Sequence, residues 1–545
     1  QTIRTVYDDL GRIRDIYAPT MIDTPAIHFE RNPWPKSGPP FAITSHADVT
    51  RVDAMHRSAG IDTVQFVDGL GRRLQTKRDT VIYDEGPQGK GNQRVGYKVS
   101  GAIHRDRMGR VDREGQPFFR DDEQTHYAEV PMAFPVDKAY DALSRVRLIS
   151  WPNGGKTRID YGFEQVGRLW RHARTETDPA GRVSVFYDDA NGDTIAVRQR
   201  GTAGDPYDLL THYEYDGLRA LLRVTDPGGN ATSVSYDTMG RRIAITQPDA
   251  GTMTLWYDLA GNLRARLSPA AKVGNPDVKI SFDRPFGRLE AIHYPDRGDT
   301  SFVYGNADAT EGRVNRIASV TDDSGVLELS YDALGQIATR TKTPTALRGE
   351  KPGAQTLSYL WDPFGRLLQL TYPDGEVLSY GYDLAGRPAS VIGLRDGTVL
   401  PYVVAIEYDR FDARVETRLG NGAIERLRYH EATRLLKRAQ TTIPTMPADP
   451  DRDLQDLRFS YFDDGDLLAV VDQAAPPPPS QLGGASTFGY SYDGLGRLKT
   501  AKGSYSDQPE HVASLDVSLA YDDVGNIASF TRTVDGVAAG GTFTY

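Results

Sequence analysis

The sequence predicts an all-β chain, laid out as a long antiparallel sheet of repeated hairpins. Three observations carry this reading. A Tyr-Asp-x-x-Gly signature recurs along the chain, its flanks alternate in polarity, and a second turn signal follows about half a repeat later. The composition agrees: hydrophobic residues make up 39% of the 545, while Gly (54), Pro (33) and Tyr (29) are plentiful, a mixture suited to short strands joined by tight turns.

Tyr-Asp or a close variant begins at Tyr7, Tyr140, Tyr187, Tyr215, Tyr236, Tyr257, Tyr331, Tyr382, Tyr408, Tyr492 and Tyr521. Phe282 and Trp361 replace the tyrosine in "FDRPFGRL" and "WDPFGRL", and "FVDGLGRRL" around Asp68 keeps the Asp and Gly. The spacing is 21 residues from Tyr215 to Tyr236 to Tyr257, from Trp361 to Tyr382 and from Tyr408 to Tyr429, and 25 to 30 between several others, as variable loop length would give. Aspartate suits the first position of a type I turn, where its carboxylate accepts a backbone N–H two residues on. Glycine then supplies the left-handed conformation that closes a hairpin with a bulge. In "TSVSYDTMGRRIAIT", Val234 and Tyr236 share one parity, as do Ile243 and Ile245. Period two on both sides of the turn means a strand on each side.

The second signal reads "WPNGG" at Trp151, "TDPGGN" at Thr225, "QPDAG" at Gln247, "YPDRG" at Tyr294, "YPDGE" at Tyr372 and "LGNGA" at Leu419. One repeat is therefore strand, Asp-x-x-Gly corner, strand, Pro-Asp-Gly-type turn. The residues that carry the corner most clearly are Tyr236, Asp237, Gly240 and Arg241; Tyr257, Asp258 and Gly261; Trp361, Asp362, Gly365 and Arg366; Tyr382, Asp383, Gly386 and Arg387; and Tyr492, Asp493, Gly496 and Arg497. An arginine follows the glycine at Arg12, Arg72, Arg241, Arg288, Arg366, Arg387 and Arg497. It reads either as a solvated or cross-strand partner for Asp or Tyr of a neighbouring hairpin, or as part of an Arg–Tyr ladder that binds a ligand.

Repeated Tyr-Asp-x-x-Gly-Arg-Leu followed by Pro-Asp-Gly resembles the RHS, or YD-repeat, family. The resemblance rests on "YDGLGRLKT" at Tyr492, "WDPFGRLLQLTYPDGEVLSYGYDLAGR" from Trp361 and "YDLAGNLRARLSP" at Tyr257. It is clearest from about Lys138 to Tyr545, whereas "VQFVDGLGRRLQTKRD" is similar to the stretch leading into the repeats of the B component of insecticidal Tc toxins. The family implies a spiralling sheet that forms part or all of a hollow shell, which in bacterial members encloses a toxic C-terminal domain and in the related teneurins serves adhesion. A modest apolar content fits a wall wet on both sides. The expected division is an irregular N-terminal region with early repeats and a Pro-rich insertion over 1–137, then a regular ribbon over 138–545. Both termini interrupt repeats, as in a cut through a longer array.

Ala18 to Gly60 reads as an irregular, proline-rich loop or cover, "GPQGKGNQ" from Gly86 as a loop without a phosphate-cradle pattern, and Thr441–Asp456 and Ala474–Gly484 as exposed insertions. Asp449, Asp451 and Asp453 imitate the opening of a calcium loop, but Leu454 and Ser460 stand where Gly and Glu are required. The ten histidines show no metal-ligand spacing, and there is no Gly-x-Ser-x-Gly elbow. "TDPAGR" and "WDPFGR" lie inside ordinary repeats and read as turns, not as the family's aspartyl self-cleavage segment. The absence of cysteine excludes disulfides, thiolate zinc sites and a Cys nucleophile. A net charge of −10 gives no support to nucleic-acid binding, no apolar run of bilayer length occurs, and the N-terminus does not resemble a signal peptide.

The expectation is a non-enzymatic shell segment without a cofactor or metal, secreted or at the bacterial surface. Its partners would be an enclosed toxin or effector polypeptide and neighbouring RHS segments or toxin subunits. The alternative is a cell-surface adhesion or carbohydrate-binding module.

Overall fold

A computed structural model describes the chain except residues 1–2, 49–59, 85–90, 130, 270–278, 308, 347–352, 444–452, 475–484, 509–510 and 545. Among the described residues the regular structure is strand, apart from 3₁₀ geometry at Pro285–Gly287 and at Pro269. The chain forms two compact units: Gln1–Ile103 with Glu114–Ala133 and Asp283–Glu425, and His104–Arg113 with Phe134–Phe282 and Arg426–Tyr545.

Each hairpin corner follows from its sequence. At Tyr236, Asp237 N–H donates to Arg241 O (2.9 Å) and Gly240 N–H to Asp237 O (3.0 Å). Gly240 has φ 76°, the left-handed region in which a side chain is strained. The turn consumes one extra residue, so the register slips at the tyrosine: Ser235 opposes Ala244, but Tyr236 opposes Arg242. The same slip recurs at Tyr257, Trp361, Tyr382 and Tyr492. Gly261, Gly365, Gly386 and Gly496 share the conformation, at φ 87°, 80°, 77° and 81°. This bulge sends the strand into the next antiparallel pairing with its side-chain alternation intact.

In the first unit an eight-stranded sheet runs Arg4–Tyr7, Ile13–Tyr17, Ile27–Asn32, Phe41–Ala47, Gly60–Val67, Arg73–Asp84, Asn92–Val99 and Phe118–Arg120, in that spatial order. This corrects the expectation of an irregular segment over Ala18–Gly60: two strands lie there, paired from Ile27 with His46 to Asn32 with Phe41. Phe41 and Ile43 alternate inward onto Val64 and Phe66, which is enough to order the strands. The prolines at 33, 35, 39 and 40 are confined to their connection, where no ladder N–H is needed. A second cluster of Tyr97, Val99, Phe118 and Ala128 closes the other end of this sheet. Gln93, expected in a loop, lies instead in Asn92–Val99, and residues 86–90 are outside the described set. The insertions at 444–452 and 475–484, with Asp449 and Asp451, also lie outside it. Asp453 begins the strand Asp453–Tyr461, where its carboxylate accepts from Gln440 Nε2 at 2.7 Å.

The rest of the first unit is ribbon, including Gln355–Trp361, Leu367–Thr371, Val377–Tyr382, Pro388–Arg395 and Thr398–Tyr408, each paired with the next. In the second unit, consecutive strands from Val136–Tyr140 to Leu263–Leu267 form one run of ribbon and those from Leu436–Thr442 to Val537–Thr542 another. Among its described residues one buried apolar cluster forms, Ala173, Val185, Tyr187 and Ala196. Many ribbon residues are only half-buried, as at all six residues of Val377–Tyr382 in the first unit.

Replacing Gly240 by Ala is expected to cost about 1–2 kcal/mol through left-handed strain. Gly217→Ala, at a turn position without positive φ and with open space around the added Cβ, should stay within about 0.5 kcal/mol of the parent. Chemical denaturation of the two variants checks the difference.

Candidate functional site

The residues singled out by the sequence form a ladder that ties each hairpin to the next. Within a corner the aspartate is saturated. Asp237 Oδ1 accepts the backbone N–H of Met239 (2.9 Å) and Arg241 (3.0 Å), and its Oδ2 accepts Arg241 Nε at 2.7 Å. Asp362, Asp383 and Asp493 bind Arg366, Arg387 and Arg497 in the same way. At Asp258 the partner is Asn262, through its N–H (2.8 Å) and Nδ2 (3.1 Å).

The arginine then reaches the following repeat. Its guanidinium lies over the next aromatic ring: Arg241 over Tyr257 at 5.0 Å, Arg366 over Tyr382 at 4.7 Å, Arg387 over Tyr408 at 4.3 Å and Arg497 over Tyr521 at 4.6 Å. Arg241 Nη1 also donates to Asp258 O at 2.8 Å. The tyrosine returns the link. Tyr382 O–H donates to Leu367 O (2.8 Å), the carbonyl just after Arg366, and Tyr236, Tyr492 and Tyr521 donate to Leu221, Leu467 and Leu498. Trp361 Nε1 does the same to Ile337 O at 2.7 Å, which is why tryptophan can replace tyrosine here. The arginine thus pairs with the aspartate of its own hairpin and the aromatic ring of the next. Most of the ladder's polar atoms are used internally, as the cross-strand reading expects, although Arg366 Nη1 is buried without a hydrogen-bond partner.

The early repeats share this geometry, with Asp8, Asp68 and Asp106 forked by Arg12, Arg72 and Arg110. Among the four-residue corners described, Ser144 (φ 63°), Arg219 (φ 68°) and Asp412 (φ 65°) put a non-glycine in the left-handed position. Each side chain there makes a polar contact: Ser144 Oγ accepts from Arg110, Arg219 pairs with Asp193, and Asp412 accepts from both Arg387 and Lys98.

A second set of contacts joins separate stretches within each unit. In the first, corners of the ribbon seat on the N-terminal sheet. Arg366 bridges the fully buried carboxylates of Asp362 and Asp48, Arg387 donates to Val81 O (2.6 Å), Gln93 to Glu407, and Phe364 stacks on His46 at 5.0 Å. In the second, Arg182 reaches from its own Asp178 to Asp464 and Asp466, both at 2.9 Å. Asn153 Nδ2 donates to Asp463 O, and Gly494 N–H to Asp205. Sequence reading missed Arg182, Asp464 and Asp48, because "TDPAGR" and "DDGD" are written like any other turn and only the fold sets them opposite one another.

Electrostatics follow the same geometry. The N–H of Arg241, with its guanidinium, holds Asp237 below the usual carboxylate range. Asp258 is lowered by the Asn262 side chain and N–H. Burial works against the charge of Asp493, but the N–H and guanidinium of Arg497 outweigh it and keep that group low. Asp464 runs the other way: burial, with the charge of Asp466 beside it, raises it despite Arg182.

The RHS Repeat family model matches residues 219–252 and 361–399. These are RHS repeats. The two matched stretches hold the corners at Tyr236, Trp361 and Tyr382, where the ladder is most regular. No curated protein compared with the chain matches it in sequence. Among solved structures, 99% of the chain superposes on TcdB2-TccC3 with a TM-score of 0.80 and 18% identity, covering 31% of that chain. A Tc holotoxin pore from Photorhabdus luminescens aligns over 92% of the chain, with a TM-score of 0.74 and 19% identity, covering 26% of its own length. The likeness establishes the RHS fold over essentially all of this sequence, which spans about a third of the structures it resembles.

Two outcomes follow. Arg366→Met removes the cation shared by two buried carboxylates and should destabilise the protein by about 3–5 kcal/mol, well beyond Arg241→Met at a more exposed corner; urea midpoints compare them. The lowered corner carboxylates, Asp8, Asp68, Asp106, Asp141, Asp237, Asp258, Asp493 and Asp522, bind fewer protons folded than unfolded. Their stabilisation is present above the unfolded aspartate value of about 3.9 and is lost as pH falls through the lower folded values. Asp464, the one raised carboxylate among the described residues, opposes this. Thermal melts should change little from pH 7 to about 5 and fall steeply below about 4.

Proposed function

We propose that the chain is a wall segment of an RHS shell that encloses a toxin or effector polypeptide in a secreted bacterial toxin system, and that it has no catalytic activity of its own. The observation that carries this is the superposition of 99% of the chain on TcdB2-TccC3 at a TM-score of 0.80. The local chemistry is consistent with it. The repeat side chains are spent on the ladder, and half-buried ribbon residues such as those of Val377–Tyr382 suit a wall with water on either side. A wall that must hold an effector without gripping it as a folded partner gains from such mixed polar surfaces. In this reading the partners are the effector and other toxin subunits, and the site of action is extracellular.

The full reading frame containing this chain should be expressed and subjected to limited proteolysis. An enclosed effector stays intact until the RHS wall is unfolded, and substitutions such as Arg366→Met bring forward its exposure. An effector portion digested as readily as a free polypeptide would remove the enclosure reading.

A further inference from the structure

One face of the N-terminal sheet is covered by a segment that belongs to no strand. Phe41, Val64, Phe66, Gln75, Lys77 and Val99 share that face, because pairing sets Phe41 and Gln75 opposite Phe66, and Val64 and Val99 opposite Lys77. Residues 121–129, "DDEQTHYAE", cross it without joining any ladder. Side chains that rise from the sheet hold them. Gln75 clamps the backbone of Ala128 with both ends of its amide, Nε2 donating to the carbonyl (2.8 Å) and Oε1 accepting the N–H (3.2 Å). Lys77 Nζ donates to the Asp122 carboxylate (2.8 Å) and to Glu123 O (2.9 Å). Gln124 Nε2 donates to Asp62 at 2.6 Å, and Tyr127 stands edge-on to Phe66 with ring centroids 5.6 Å apart.

This chemistry is unusual for a permanent cover. Gln75 is 1% exposed and Lys77 0%, and lysine is almost never fully buried unless paired. Both take their hydrogen-bond partners from the covering segment, which is itself polar: seven of its nine residues are Asp, Glu, Gln, Thr or His. Asp121, Glu123, Thr125, His126 and Glu129 stand in water. A buried ion pair adds little over well-packed apolar side chains of the same volume, so stability alone does not call for lysine here. A polar clamp differs from an apolar one in what happens when the cover lifts. Water then reaches Lys77 and Gln75, and neither is left buried without a partner.

We infer that this face is a peptide-binding groove, that residues 121–129 are its tethered occupant, and that an acidic, tyrosine-bearing segment of another polypeptide takes their place. The tethered copy shows what the groove selects. Lys77 takes a carboxylate, the Phe66 side takes a tyrosine five residues further on, and the Gln75 amide takes the backbone of the small residue that follows, as Asp122, Tyr127 and Ala128 do. The sheet does not need its cover to stay in place. Its opposite face is engaged by ribbon corners, with Arg78 donating to Ala385 O (3.1 Å) and His46 stacked on Phe364. Tethering makes the exchange selective, because a segment joined to its groove by a short linker competes as if present at about millimolar concentration. An incoming segment must bind more tightly than the resident one or find it loosened. The groove is independent of the enclosure reading: it would exchange peptides whether or not the chain encloses anything.

The test is fluorescence anisotropy with a labelled synthetic peptide of residues 120–129, titrated with the purified chain. Asp122→Asn with Tyr127→Ser loosens the tethered copy and leaves the groove intact. This variant should bind the peptide at least about tenfold more tightly than the parent, in which the tethered segment competes. Adding Lys77→Met to it, or replacing the aspartate of residue 122 and the tyrosine in the peptide by alanine, should abolish binding. Hydrogen exchange on the parent gives a second measurement: the fragment holding the Ala128 N–H should exchange at least about tenfold faster than Arg73–Asp84, because the cover lifts while the sheet stays closed. A folded loosened variant that does not bind the peptide overturns the inference, as does binding that survives Lys77→Met or the altered peptide. Exchange of cover and sheet together overturns it too. Should the double variant not fold, Asp122→Asn alone replaces it. If that single change also unfolds the sheet, the segment is core and not an occupant, and the inference falls.

Discussion

The most regular corners of this protein depend on one arginine being held from two sides. Asp237 fixes the guanidinium of Arg241 at 2.7 Å, and the fixed guanidinium lies over Tyr257 of the next hairpin. Alone, each link is weak: an exposed ion pair contributes about 0–1 kcal/mol and an exposed cation–π contact about 0.5–1 kcal/mol. Their value lies in sharing one rigid planar group, already ordered by the first contact when it makes the second. The Tyr O–H bond back to the preceding repeat then closes the link, so that ordering one corner lowers the entropy cost of ordering the next.

The ladder also explains how the ribbon does with so little core. Among the described residues of the second unit the buried apolar cluster is four residues, Ala173, Val185, Tyr187 and Ala196. Backbone pairing and side-chain links along the edge replace what a packed interior does in a globular domain. Nearest-neighbour stabilisation of this kind is characteristic of repeat architectures. Where the ladder departs from its pattern, the change is compensated locally. Asn262 supplies to Asp258 the hydrogen bonds but not the charge of arginine. Asp412, strained at φ 65°, accepts from both Arg387 and Lys98.

Contacts between separate runs of ribbon follow a different logic. The strongest of them are ionic: Arg366 between the buried Asp362 and Asp48 in one unit, Arg182 among Asp178, Asp464 and Asp466 in the other. Charges withdrawn from water in this way add little net stability but penalise any misalignment heavily, because a shifted strand would leave a carboxylate unpaired. They therefore set which corner faces which turn, while the ladder sets that there are corners at all.

The strands, the corners and the left-handed glycines were legible in the sequence, because turn chemistry and period-two alternation act over four or five residues. The fork of Asp237 by Arg241 is of the same range. The placement of Arg241 over Tyr257 needed the pairing of successive hairpins, although the 21-residue spacing already pointed to equivalent positions. The strands Ile27–Asn32 and Phe41–Ala47 were obscured by the prolines between them, which mark a connection and say nothing of what it connects. Only the tertiary structure decided that Arg182 meets Asp464, that Arg366 meets Asp48, and that Leu218 and Leu259 stand in water while Leu495 does not. These residues are written into identical motifs. What separates them is which stretch of chain, some 280 to 320 residues away, comes to lie against them, and no local periodicity encodes that distance.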